Sequence, residues 1–138
     1  MERPIVKGEL ALRLPSVVAT PMDLPVARDL LDTLAAHSED CVGLAANMIG
    51  QRKRIIAYAD QERSENRVMI NPEIVSVTGS YETQEGCLSL VGKRPTKRFE
   101  VITVRYQDES FVWQTEEFHG YTAQIIQHEV DHCKGIVI

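Results

Sequence analysis

The segment QHEVDH (residues 127–132) combines residue types and a spacing that suit metal chemistry. His128 and His132 are four residues apart, so on an α-helix both imidazoles project from one face and can bind the same divalent ion. Glu129 adjoins the first histidine and can reach a water molecule at that ion. The alternative is that two unrelated histidines fall at this spacing by chance. The pattern therefore favours a hydrolytic metal site, provided that a further ligand can be found.

That further ligand is expected upstream, because two helical histidines supply only half of a tetrahedral site. Of the residues that follow His132, Cys133 would point about 100° away from it on a helix. Cys87, within QEGCLSL, is the best upstream candidate. One cysteine and two histidines leave a fourth position open, as catalytic sites do, whereas structural sites are closed by four protein ligands. The alternative for Cys87 alone is a small buried side chain.

The elements predicted around these residues are those of a single α+β domain over residues 1–138, with more strand than helix. Asp23 is expected to cap a first helix that ends near His37. A second helix is expected over residues 121–133, with Gly135 ending it. Strands are predicted at residues 54–59, 68–77, 99–107 and 111–118, the second of them interrupted at Asn71-Pro72. Residues 136–138 are expected to form a short strand or an apolar tail.

The composition disfavours several classes of protein. With 15 Lys and Arg against 20 Asp and Glu, the formal net charge is -5, which disfavours a nucleic-acid-binding surface. The one basic cluster, KRPTKR (residues 93–98), is interpreted as a solvated loop. No apolar run approaches the ~18 residues of a membrane helix and no signal peptide is recognisable, so the expected location is the cytoplasm. Three widely spaced cysteines do not suggest a disulfide framework.

Three short motifs together resemble the signature motifs of the peptide deformylase family. They are GLAA (residues 43–46), EGCLS (85–89) and QHEVDH (127–132), in the family's order and spacing. The resemblance implies an α+β fold in which antiparallel strands pack around a C-terminal metal-binding helix. It also implies a metal-dependent hydrolase that removes the N-terminal formyl group from the formylmethionine of nascent polypeptides. The implied partner is a formylated peptide, met at the ribosome, with no direct contact to nucleic acid or membrane.

The same resemblance assigns roles to individual residues. It implies one divalent ion, Fe²⁺ first and Zn²⁺, Ni²⁺ or Co²⁺ as alternatives, with Glu129 as the general base and later the general acid. The backbone N–H of Leu88 would stabilise the oxyanion, and Glu85 would pair with Arg98 behind the metal site. For Glu85 and for Arg94 the alternative is a solvated charge. The implied metal ligands are Cys87, His128 and His132, and the implied substrate contacts are Val42, Gly43, Gly86, Arg94 and Ile125.

The first motif departs from the family pattern G-x-G-x-A-A-x-Q at two positions. Cys41 stands at the opening glycine and Met48 at the glutamine, whose amide donates to the oxyanion in the family. A thioether cannot donate a hydrogen bond. Asn47 is expected to point the opposite way, as neighbours do in an extended segment. The family's frequent C-terminal helix has no counterpart after Ile138.

Three hypotheses follow from the motifs and their departures. The leading one is a working deformylase whose oxyanion site is weakened by Met48. The second is a metal-binding paralogue with weak or altered amidase activity. The third is an H-E-x-x-H endopeptidase, which the lack of a downstream third ligand disfavours.

Overall fold

The computed structural model describes residues 1–138 and has an α+β architecture. One antiparallel sheet has its five strands in chain order, so each strand pairs with its sequence neighbours. The strands are β1 (Gly43–Ala45), β2 (Ile55–Asp60), β3 (Glu65–Gly86), β4 (Lys93–Gln107) and β5 (Trp113–His119). The helices are α1 (Leu10–Arg13), α2 (Leu24–Ala36) and α3 (Gly120–Cys133), with 3₁₀ turns at Pro21–Asp23 and Ala46–Ile49. The predicted fold class is confirmed.

Strand β3 is much longer than the segment predicted at 68–77. The expected interruption at Asn71-Pro72 is absorbed by an irregularity, where the pairing with β4 shifts between Ile70 and Glu73. Asn71 adopts a φ of 53°, a conformation that asparagine tolerates better than most residues. Its side chain both accepts from the backbone N–H of Ala19 and donates to the Ala19 carbonyl. The strand therefore continues through the dipeptide that was expected to break it.

The basic cluster KRPTKR was wrongly interpreted as a loop. Residues 93–98 form the first part of β4 and pair with the second half of β3, as in the Glu82–Lys97 pair. Arg98 is buried there rather than solvated. Residues 136–138 form no strand and follow α3 as a tail.

At β2 the sheet is buried on both faces, with α2 packed on one face and α3 on the other. In β2, Ile55 and Ala57 belong to a core cluster with Leu30 of α2, whereas Ile56 packs in a second cluster on the other face. That second cluster includes Ile126, Val130 and Cys133 of α3. Continuous apolar sequence in β2 follows from this double burial. None of the helices is long and apolar enough to span a lipid bilayer.

Candidate metal centre and cleft

Helix α3 presents the two histidines on its buried face, as their spacing predicts. His132 is fully buried and His128 nearly so. Their rings meet edge to face, with centroids 4.5 Å apart and an interplanar angle of 72°. Two hydrogen bonds between the Gln127 side chain and the backbone N–H and C=O of Phe99, each 2.9 Å, attach this part of α3 to β4. The sheet thereby fixes the position of the histidine-bearing turn.

Cys87 directly follows the last residue of β3 and meets the histidines. A ligand atom of Cys87 and one from each of His128 and His132 all lie within 4.8 Å of one another. The structure thus brings together the three residues that the sequence proposed as ligands. They come from elements more than forty positions apart in the chain, which only the tertiary fold can place side by side.

Two buried polar atoms beside these residues have no hydrogen-bond partner in the protein. They are Nδ1 of His132 and Oε1 of Glu129, which lie 3.2 Å apart without hydrogen-bond geometry. Buried polar atoms are rarely left unpaired. A divalent ion and a water molecule would satisfy both atoms, and one thiolate with two imidazoles suits such an ion. The residues present therefore fit a mononuclear metal centre.

The electrostatics of the cluster favour a positive charge at its centre. Burial lowers the pKa of His128 and of His132, but the negative Glu129 and Cys87 outweigh burial and raise the values to about 9 and about 10. Burial likewise raises the pKa of Cys87, but hydrogen bonds from His128 and His132 outweigh it and lower the value to about 7. A thiol with this pKa is partly ionised at neutral pH, the form that binds metal.

A buried ion-pair network supports His128 from behind. Its Nδ1 lies 2.7 Å from Oε1 of Glu85, which also accepts from Arg98 at 2.7 Å. Arg98 donates in addition to Asp131 of α3 at 2.7 Å. Burial raises the pKa of Glu85, but its hydrogen bonds to His128 and Arg98 dominate and lower it to about 2. The predicted Glu85–Arg98 pair is confirmed, and the solvated alternative for Glu85 is wrong.

Sequence reasoning missed two members of this network. The Gln124 side chain donates to Oε2 of Glu85 at 2.8 Å, and the hydroxyl of Tyr81 donates to Gln124 at 3.3 Å. Gln124 lies four residues before His128, on the same face of α3, so helical periodicity alone pointed to its proximity. The contact of Tyr81 depends on the unpredicted second half of β3.

A cleft of about 700 Å³ opens beside the cluster. Val42, Gly43, Gly86 and Ile125 line it, as do Leu88 and Glu129.

Arg94 is not brought to the cleft, because its guanidinium pairs with Glu9 at 3.3 Å; the neighbouring Lys93 lines the cleft instead. Neighbouring side chains in a strand point to opposite faces, so Lys93 and Arg94 cannot both face the cleft. Sequence reasoning also missed the segment 38–40, which forms part of the rim.

Met48 lines the cleft from the 3₁₀ turn that follows β1, and its side chain is almost completely buried. The segment is therefore not extended, and the expected reason for the orientation of Asn47 was wrong. Asn47 instead donates its side-chain amide to the backbone carbonyl of His132 at 2.9 Å. Its donor is thus used for packing against α3 and does not replace the missing glutamine.

At Gly43, β1 packs closely against α3. A Cβ at this position would lie 2.8 Å from Cγ2 of Ile125 and 2.9 Å from Oε2 of Glu129. We expect Gly43→Ala to lower the free energy of unfolding by about 1–3 kcal/mol, because both side chains must move in a packed region. Thermal and urea denaturation would measure the change.

The matched control for this substitution is Gly86→Ala. A Cβ there would have the Gly92 carbonyl oxygen as its nearest neighbour at 3.6 Å, an ordinary contact. We expect this variant to stay within about 0.5 kcal/mol of the wild type. If the two variants lose the same free energy of unfolding, the effect of Gly43→Ala comes from the loss of glycine's conformational freedom and not from crowding at Gly43.

The fold and the site define a class of protein. It is an α+β protein in which a cysteine after a long strand and two histidines of the last helix form a metal-type centre. Cys87 and His128 of this centre line a cleft that also includes Gly43 of the edge strand β1.

Comparison with known proteins then gives the family. The model of the polypeptide deformylase family matches residues 12–138. The chain is 51% identical over 140 residues to a peptide deformylase of Clostridium beijerinckii, covering all of both sequences. The chain belongs to the polypeptide deformylase family, and the predicted resemblance and enzyme class are confirmed.

Solved structures agree with this assignment. A class I type b peptide deformylase of Acinetobacter baumannii with bound Met-Ala-Ser superimposes with a TM-score of 0.86 at 28% identity, covering 99% of this chain and 97% of that one. The peptide deformylase of Thermus thermophilus gives a TM-score of 0.86 at 35% identity, covering 99% of this chain and 84% of that one. The H-E-x-x-H endopeptidase hypothesis is therefore dropped.

Proposed function

We propose that the cleft beside α3 removes the formyl group from the N-terminal formylmethionine of nascent polypeptides. The observation that carries the proposal is the convergence of Cys87, His128 and His132 beside a cleft of about 700 Å³. We treat residues 1–138 as one catalytic domain acting in the cytoplasm, where formylated chains leave the ribosome. No direct contact with nucleic acid or membrane is part of the proposal.

Cys87, His128 and His132 are proposed to hold one divalent ion, with Fe²⁺ as the first candidate. One thiolate with two imidazoles also suits Zn²⁺, Ni²⁺ and Co²⁺. When bound, such an ion lowers the pKa of water and so supplies a nucleophile near neutral pH. Glu85 would fix the orientation of the His128 ring through its 2.7 Å contact with Nδ1.

Glu129 is proposed to move the proton. Its carboxylate lines the cleft, and Oε1 has no hydrogen-bond partner in the protein, so it is free to accept a proton from the attacking water. The C–N bond of the formamide then breaks, and the same carboxyl delivers the proton to the departing amine. The products are formate and a peptide with a free N-terminal methionine.

The backbone N–H of Leu88 is proposed to donate to the oxyanion that develops on the formyl oxygen. This N–H makes no hydrogen bond within the protein, and Leu88 lines the cleft beside Cys87. A donor held in place before reaction stabilises developing charge without reorganisation.

The peptide is proposed to bind as an added strand along β1. This strand lies at the edge of the sheet and pairs with β2 alone, so its other edge can accept an extended chain. Val42, Ile125 and the His128 ring would surround the methionine side chain, with Gly86 on the opposite wall. The Acinetobacter baumannii enzyme has the tripeptide Met-Ala-Ser bound, which supports a short peptide as the ligand of this cleft.

Met48 favours a second candidate function, a deformylase-like amidase that acts weakly on formylmethionyl peptides. Its thioether lines the cleft where the family's glutamine would donate. Tyr121 and Gln124 also line the cleft and bring a hydroxyl and an amide to it. These side chains would alter the preference for methionine.

Formate release from formyl-Met-Ala-Ser by anaerobically purified protein tests the proposal. We expect about one divalent ion per chain and steady formate release. Protein that holds no metal even after reconstitution would overturn the ligand assignment. Metal-loaded protein that releases no formate would favour the second candidate instead.

A further inference from the structure

Three consecutive residues near the N-terminus connect the two loops that flank the proposed oxyanion position. The Val6 N–H donates to the Met48 carbonyl at 2.8 Å, and the Gly8 N–H donates to the Ser89 carbonyl at 2.7 Å. Between them, the Lys7 ammonium donates to the Leu88 carbonyl at 2.6 Å. We call residues 6–8 the N-terminal clamp. It reaches the Cys87 loop across more than eighty positions of sequence.

The clamp acts on a tight turn that carries the Leu88 N–H. The Leu90 N–H donates to the Cys87 carbonyl at 3.0 Å, so residues 87–90 form a β-turn with Leu88 and Ser89 at its centre. Ser89 does not have a positive φ, which excludes the type II turn. Turn types I and II differ by a flip of the central peptide, whose oxygen is the Leu88 carbonyl.

Lys7 therefore holds the one peptide group whose flip would convert the turn. Leu88 lines the cleft and Lys7 does not, so the hydrogen bond holds the Leu88 carbonyl against a group outside the cleft lining. In the flipped turn this carbonyl would point to the other side, and its negative end would approach the region where the oxyanion develops. The charge of the ammonium strengthens the hydrogen bond that opposes this flip.

Gly8 is the last residue of the clamp and turns the chain away from the two loops. Its φ of 96° is a backbone conformation that residues other than glycine rarely adopt, and its N–H donates to the Ser89 carbonyl at 2.7 Å. The clamp is thus a local conformation with a defined sequence requirement.

We propose that Lys7 is a positioning residue for the oxyanion donor Leu88. This inference rests on the proposed function of the cleft. Because Met48 cannot donate, the Leu88 N–H carries more of the oxyanion stabilisation than it would beside a glutamine. A device that fixes the Leu88 turn from outside the cleft therefore has a direct effect on turnover.

The test compares Lys7→Met with Lys7→Arg and Arg13→Met in the metal-loaded full chain. Lys7→Met keeps the length of the side chain and removes the ammonium, and Lys7→Arg restores a cationic donor. Arg13 is exposed and pairs with Glu9, so Arg13→Met removes the same charge without touching either loop. We expect Lys7→Met to lower kcat about tenfold with KM almost unchanged, and Lys7→Arg to recover most of the loss.

Hydrogen–deuterium exchange of residues 84–92 gives a second readout that does not depend on turnover. We expect faster exchange in Lys7→Met than in the wild type and in Arg13→Met. Equal exchange in all three proteins would overturn the claim that the Lys7 ammonium holds the Leu88 turn, whatever the activity. A loss of kcat that Arg13→Met shares, or a change confined to KM, would overturn the role of Lys7 in positioning. Absence of formate release from the wild type would instead count against the proposed function, with the exchange result still deciding the clamp.

Discussion

Glu129→Gln is expected to lower formate release by about three orders of magnitude while the metal stays bound. The substitution keeps the shape of the side chain and removes the group that accepts and returns the proton. Glu129 is not among the three residues whose ligand atoms cluster. Metal analysis should therefore still find about one ion per chain, as in the wild type. Single-turnover measurement of formate would separate a slow chemical step from slow product release.

The position of Glu129 in the fold supports an effect of this size. Its carboxylate lies next to Gly43 of β1. Oε2 is 2.9 Å from the position that a Cβ of Gly43 would occupy. The peptide proposed to run along β1 would therefore pass directly over the carboxylate. We expect Glu129→Ala to be as inactive as Glu129→Gln, because loss of the proton acceptor dominates in both.

Two controls make this prediction specific. His132→Ala should lose activity together with the metal, which distinguishes a ligand from a base. Glu62→Gln, in the exposed turn between β2 and β3, should leave turnover unchanged. Activity of Glu129→Gln within tenfold of the wild type would require another proton acceptor and would remove Glu129 from the mechanism.

The parts of the site that the sequence predicted are those set by local geometry. The spacing of His128 and His132 places them on one face of any helix, so their common direction on α3 follows from periodicity alone. Cys87 could be proposed because few residues in the chain can complete the ligand set. The α+β class followed from the continuous apolar run of β2 and from the alternation in β4, where Ile102, Val104 and Tyr106 are buried.

The parts that the sequence did not predict depend on long-range pairing. The second half of β3 is largely exposed and polar, so its sequence has no apolar pattern that predicts a strand. It forms a strand because it pairs with residues 93–98 of β4. Arg98 is buried because Glu85 and Asp131 meet it from two different elements. The N-terminal clamp likewise depends on carbonyls of distant loops, which no local property of Lys7 reveals.

Met48→Gln is expected to raise kcat by at least tenfold and by up to about a hundredfold, because it restores a hydrogen-bond donor at the oxyanion. Removal of one such donor in other enzymes costs about 10²–10³ in turnover. Glutamine and methionine are similar in length, so the 3₁₀ turn at residues 46–49 can retain its contacts. Two hydrogen bonds anchor this turn, one from the Val6 N–H to the Met48 carbonyl and one from the Asn47 side-chain amide to the His132 carbonyl, and neither involves the side chain that changes.

Met48→Leu is the matched control, since leucine is also apolar and also cannot donate. We expect Met48→Leu to keep the kcat of the wild type, so that any gain in Met48→Gln is assigned to the amide. If glutamine and leucine behave alike, the thioether is not what limits turnover, and the second candidate function gains support.

A double variant with Lys7→Met adds a stricter test. If both residues act on the same oxyanion, Lys7→Met should lower kcat less in the Met48→Gln background than in the wild type. In that background the glutamine amide stabilises the oxyanion together with the Leu88 N–H.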